Sequence, residues 1–103
     1  MSTAGDEREQ RQLALMRERV SGLRGGALHL GTGIADLEAL LSVTTQPPDW
    51  KDRFIYAWSV LEIAYAVALD RRQPIPTALT DPDIADALND LDALIDEAAG
   101  PAS

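Results

Sequence analysis

Apolar residues recur along this chain at intervals of three and four, the spacing of one face of an α-helix. No segment shows the strict alternation of a half-buried strand. Leu13, Met16, Val20 and Leu23 lie on one stripe and predict a helix from about Asp6 to Ser21, stopped by Gly22, Gly25 and Gly26. Ile34, Leu37, Leu40 and Leu41 predict a second helix, opened by Thr32 as N-cap and reaching about Val43. Thr44-Thr45-Gln46-Pro47-Pro48 must then turn, because a residue before proline avoids helical angles. Pro48 or Asp49 opens a third helix to about Arg71, with Trp50, Phe54, Trp58, Leu61, Tyr65, Ala68 and Leu69 on its richest stripe. After the stiff link Gln73-Pro74-Ile75-Pro76, Thr80 or Asp81 ahead of Pro82 caps a fourth helix to about Ala99. Its core stripe is Ile84, Leu88, Leu91 and Ile95, and Gly100-Pro101 ends it.

The third helix differs from the others. Ile55, Ala57, Val60, Ile63, Ala64, Ala66 and Val67 leave it apolar around most of its circumference, and such a helix wants neighbours on all sides. The expected architecture is therefore one all-α domain over residues 1–103, a four-helix bundle with a central apolar third helix. Disorder is expected only at residues 1–5 and 100–103. A broad apolar strip left exposed on the third helix would instead mark a homodimer.

Composition changes this picture little. With 103 residues, 46% hydrophobic and 25% charged, the chain fits one soluble domain with a modest core. Absence of Cys removes disulfides, a thiolate nucleophile and Cys-based zinc sites, and suits a cytoplasmic setting. The longest uncharged run, Gly25 to Ala35, is about half of what a membrane-spanning helix needs. Net acidity disfavours nucleic acid and anionic membranes as partners, since both call for basic patches.

Charge is where the chain departs from the ordinary. The net charge is −8, and residues 73–103 hold Asp81, Asp83, Asp86, Asp90, Asp92, Asp96 and Glu97 with no Lys or Arg. At 100° per residue, Asp83, Asp86, Asp90 and Glu97 fall within about 60° of one another, away from the core stripe of the fourth helix. Like charges at that spacing repel. Asp96 and Glu97 also stand in a last turn, where the helix dipole disfavours anions. Solvation alone would account for such a face, but solvated faces usually mix signs. Rules broken without gain to the fold point to binding, so these four residues are candidates for a partner site.

Catalytic chemistry has thin support. His29 is the lone His and Lys51 the lone Lys, and no GxSxG, HExxH or ExxH motif occurs, so no metal site and no cofactor is expected. Gly31-Thr32-Gly33 has neither the preceding strand nor the Gly-Lys-Ser/Thr of a phosphate loop and reads as a flexible helix entrance. His29 reads as a connector residue that packs or caps nearby backbone. Glu62, the one charged residue between Arg53 and Asp70, is expected to be a buried polar group, hydrogen-bonded to Trp58 or Tyr65 or paired with an Arg or His29. The sharper alternative makes it a perturbed catalytic carboxylate.

The third helix, Trp50-x3-Phe54-x3-Trp58-x2-Leu61-Glu62-x2-Tyr65-Ala66-x-Ala68-Leu69-Asp70, resembles small uncharacterised bacterial helical proteins with a "W…F…W..LE..YA.ALD" pattern. Asp36-Leu37-Glu38-Ala39-Leu40-Leu41 is similar to the "DLEALL" helix that precedes it in them. This resemblance covers about half of the chain and implies kinship with immunity proteins of bacterial polymorphic toxins, without carrying over any catalytic residue. The expectation is a non-enzymatic binding protein whose acidic face covers a basic protein partner, such as a toxin or nuclease. A structural or accessory subunit homodimerising through the third helix stands second. A small enzyme or ligand binder centred on Glu62 stands third.

Overall fold

The three- and four-residue stripes do become helices. The computed structural model describes residues 4–100 and contains α1 (Ala4–Arg24), α2 (Leu30–Val43), α3 (Pro48–Asp70) and α4 (Pro82–Ala99), with no strand among the described residues. The expectation of disordered ends lies outside the described residues for 1–3 and 101–103, whereas Ala4 and Gly5 belong to α1 and Gly100 caps α4.

Helix ends follow local chemistry, with two differences from expectation. A glycine inside a helix costs only about 1 kcal/mol, so α1 runs through Gly22 and stops where Gly26 turns left-handed at φ 77°. Ala27 and Leu28 then donate their N–H groups back to the Gly22 carbonyl, each at 3.0 Å. The N-cap of α2 is His29 rather than Thr32, because His29 Nδ1 accepts the Gly31 N–H at 3.1 Å. Gly31 and Gly33 are thereby enclosed in an ordered first turn and form no flexible entrance. A Cβ on Gly33 would stand 2.6 Å from the buried Leu23 side chain, and one on Gly31 would stand 2.7 Å from the Tyr65 hydroxyl. These glycines let α2 approach α1 and α3. Asp81 caps α4 through its carboxylate, which accepts the Asp83 N–H at 2.9 Å, and Pro82 fills the first helical position.

Packing runs around a four-cornered ring. α1 touches α2 and α4, α3 touches α2 and α4, and the diagonal pairs do not approach. The predicted stripes supply the core: Leu13, Met16, Val20 and Leu23 from α1, Ile34 and Leu37 from α2, and Ile84, Leu88, Leu91 and Ile95 from α4 are all buried. From α3 come Trp50, Phe54, Ala57 and Leu61. α3 therefore occupies a corner rather than the middle. Two indoles set its rotation: Trp50 Nε1 donates to the Leu94 carbonyl of α4 at 2.8 Å, and Trp58 Nε1 donates to the Ile34 carbonyl of α2 at 2.9 Å. The face opposite these contacts is left to solvent.

A buried carboxylate ties the start of the bundle together, and it is Glu9 of α1, only 7% exposed. It accepts hydrogen bonds from the hydroxyl of buried Thr44, from Thr45 N–H at 2.9 Å, from Thr45 Oγ1 at 3.2 Å and from Gln46 Nε2 at 2.9 Å. Burial alone raises the Glu9 pKa, but the hydrogen bonds to Thr44, Gln46 and Thr45 together outweigh it and hold the carboxyl below its usual 4.5. A depressed carboxyl pKa adds stability that is complete above the ordinary value and is lost as pH falls through the lower folded value. Urea midpoints of the wild type should therefore fall relative to those of Glu9→Gln as pH drops from about 5 to about 3. Parallel curves would refute the assignment. At neutral pH, Glu9→Ala orphans the Thr44 hydroxyl and should cost about 1–3 kcal/mol.

Candidate functional site

The exposed side of α3 has its own order. Measured around the helix from the core-facing Leu61, residues Tyr56, Val60, Ile63 and Val67 form a second stripe, spaced four, three and four, on the flank nearer α4. Tyr56 is 78% exposed and Ile63 62%, with Val67 also exposed and Val60 half-buried. The spacing is that of a coiled-coil seam with nothing packed on it.

Three hollows lie in succession along this stripe. One of about 520 Å³ lies between α3 and α4 against Arg53, Tyr56, Ala57, Asp90, Leu94 and Glu97. A second, of about 410 Å³, shares Tyr56 with the first and extends over Ile55, Val60 and Ile63. The third, of about 400 Å³, takes up Val60 and Ile63 and continues past Val67 to Pro74, Pro76, Asp81 and Asp83. The result is a shallow groove along α3 whose two ends are walled by acids, Asp90 and Glu97 at one and Asp81 and Asp83 at the other, while its middle, which also includes Asp52 and Ser59, lies on α3 alone.

Of the four residues singled out by charge, Asp83, Asp90 and Glu97 line these hollows and Asp86 lies beside them on the same side of α4; the fold divides the acids of α4 between two flanks. On the flank toward α1, Asp92 pairs with Arg24, and Asp96 pairs with Arg17 at 2.6 Å. Arg24 also donates to Asn89 Oδ1 at 2.7 Å. On the flank toward α3, Glu97 pairs with Arg53 at 2.9 Å, and Arg53 reaches Asp49 at 3.3 Å. The conflict of Asp96 and Glu97 with the helix dipole is thus offset by arginines from neighbouring helices. Asp83, Asp86 and Asp90 are exposed and join none of the ion pairs among the described residues. The four predicted residues therefore lie on one side, but Glu97 is committed within the chain and three remain.

Glu62 is corrected. It is exposed, not buried. The expectation assumed neighbours all round α3, whereas a corner helix turns Glu62 outward, between the flank carrying Trp58 and the outer face. Trp58 gives its N–H to Ile34 and Tyr65 lies against Gly31 and the edge of His29, with ring centroids 5.8 Å apart. The buried carboxylate is Glu9, hidden from pattern reading because it sits among charged residues near the start of α1.

No family model, curated protein or solved structure matches this chain. Function must then be argued from the groove itself. Among the described residues no group of three His, Asp or Glu side chains could hold a metal ion, and no helix is long and apolar enough to cross a membrane.

The two acidic flanks should respond oppositely to neutralisation. Asp92→Asn removes the partner of half-buried Arg24 and should lower stability, by no more than about 1 kcal/mol for a pair this exposed. Asp83→Asn/Asp86→Asn/Asp90→Asn removes only repulsion and should leave the melting temperature unchanged or slightly raised. A clear loss of stability in the triple variant would show that these carboxylates serve the fold.

Proposed function

We propose that the protein is a non-enzymatic, acidic protein-binding module, an immunity or antitoxin-type inhibitor that occludes a basic surface of its partner. The observation that carries this reading is the α3–α4 groove. Asp83, Asp86 and Asp90 stay outside the ion pairs that neutralise the rest of α4, beside a stripe of α3 on which Tyr56, Ile63 and Val67 are exposed. The mechanism is coverage without chemistry. Carboxylates occupy the place of substrate phosphates on a toxin or nuclease, exposed charges speed encounter, and a few desolvated apolar anchors set affinity. The resemblance of the third helix to immunity proteins agrees with this reading.

A second reading rests on the exposed apolar residues of α3, Ile55, Tyr56, Ile63, Val67 and Leu69, as the seat of a second copy of α3 in an accessory homodimer. A solution mass of twice 11.1 kDa would favour it. An enzyme centred on Glu62 loses its premise, since that premise was a buried carboxylate.

Capture from extract of the source cells, using the intact chain and the Asp83→Asn/Asp86→Asn/Asp90→Asn variant as paired baits, tests the binding reading. A basic protein should be retained by the wild type and depleted on the variant. With that protein purified, the triple substitution should slow association by about tenfold at low salt, and added salt should slow the wild type likewise, because a Debye length of about 8 Å at physiological ionic strength screens such contacts. Equal capture by both baits, with poorer solubility of the variant, would mean that the acids only keep the protein in solution.

A further inference from the structure

From the shape of the groove we infer that it receives one amphipathic helix of a basic partner, laid along α3 with Lys and Arg turned toward α4. This rests on the binding reading above and adds the partner's secondary structure and pattern. Three observations lead to it. The floor residues Tyr56, Val60, Ile63 and Val67 repeat at four, three and four, which is one half of a helix–helix seam; a facing helix with apolar residues at i, i+4, i+7 and i+11 supplies the other half. From Tyr56 to Val67 the floor is about 17 Å long, so about 16 residues of helix cover it with a turn to spare. Hollows also follow one another along α3, neighbouring ones meeting at Tyr56 and at Val60 and Ile63, the direction in which an elongated occupant would lie.

Charge decides what that helix is. A second copy of the chain, seated antiparallel on the same seam about a two-fold axis, would place the Asp83, Asp86 and Asp90 row of one α4 over the same row of the other. Like charges face to face across an interface oppose association. An acidic or neutral helix leaves the same row facing either like charge or apolar surface. A helix with Lys or Arg on the flank next to its apolar stripe gives each of these carboxylates a counter-ion while its stripe covers the floor.

The test uses the full-length chain and a synthetic peptide of about 16 residues with Leu at i, i+4, i+7 and i+11, Lys and Arg on one adjoining flank and Ala elsewhere. Fluorescence anisotropy should show the basic peptide binding to the wild type. A version with Glu in place of Lys and Arg, and a version broken by a central Pro, should bind at least about tenfold more weakly. Tyr56→Ser/Ile63→Ser removes the floor without changing charge and should weaken the basic peptide by about tenfold or more. Asp86→Lys/Asp90→Lys should lose the basic peptide and gain the acidic one. All four positions are exposed, and circular dichroism melting of each variant confirms the fold.

Equal binding of the Pro-broken peptide, or indifference to Tyr56→Ser/Ile63→Ser, would overturn the inference, since only charge attraction would remain. A wild-type mass of twice 11.1 kDa that reverts to one chain in Tyr56→Ser/Ile63→Ser would overturn it in favour of a second copy. If no peptide binds while the neutralised triple variant still loses its captured basic protein, the helix-in-groove inference fails and the acidic binding reading stands. Loss of both results removes both.

Discussion

The rotation of α3 about its own axis is the constraint from which the rest of this molecule follows. α3 is apolar on nearly every side, so hydrophobicity alone leaves several rotations close in energy. Two buried or half-buried indoles remove that freedom: each needs an acceptor, and Trp50 finds it in α4 while Trp58 finds it in α2. Turning the helix by one residue's worth of arc would break both hydrogen bonds and orphan two N–H groups. With the rotation set, Phe54, Ala57 and Leu61 point inward, and Tyr56, Ile63 and Glu62 point out. The core, the groove and the exposure of Glu62 are consequences of one geometric choice.

Electrostatics complete the division. The arginines of α1 lie seven apart at Arg17 and Arg24, two turns along one face, and meet Asp96 and Asp92 of α4, which lie four apart. Such exposed pairs add little stability. Their effect is to neutralise one flank of α4 and leave the other charged, with Arg53 and Glu97 closing the end of the open flank. A helix with no base of its own is thus acidic toward solvent on one side only. This asymmetry, and not the net charge of −8 alone, leaves Asp83, Asp86 and Asp90 without internal ion pairs on the side toward α3.

Much of the fold was legible because it depends on local patterns. The core stripes of α1 and α4, the Pro48 and Pro82 helix starts and the Asp81 cap could be read from spacing and capping rules alone. Harder to read was whatever depended on which helix meets which. Gly31 and Gly33 looked like a flexible entrance because their contacts, Tyr65 and Leu23, come from other helices. Glu62 reads as buried only if α3 stands in the middle, whereas nothing in the sequence sets Glu9 apart from Glu7, Arg8 and Arg11 around it. The acidic face was legible as a set of residues, but its partition into a paired flank and an open one was not. Arg17 and Arg24 share one face of α1, and Asp92 and Asp96 one face of α4, but only the α1–α4 contact gives them meaning.

The groove and the bundle are close to independent, and that bears on how such a surface can carry function. Tyr56 and Ile63 contribute little to the buried core, and Asp83, Asp86 and Asp90 take no part in the internal ion pairs. Substitutions there change the surface without opening a cavity or orphaning a buried polar group, the two main routes to large destabilisation. Substitutions at Glu9, Trp50 or Gly33, by contrast, disturb contacts between helices. On the proposed binding reading, floor and wall residues can therefore be exchanged to change the surface while the indole-fixed rotation of α3 is kept. An apolar floor left uncovered invites non-specific association, and the acidic wall offsets that tendency by repelling other copies of the same chain.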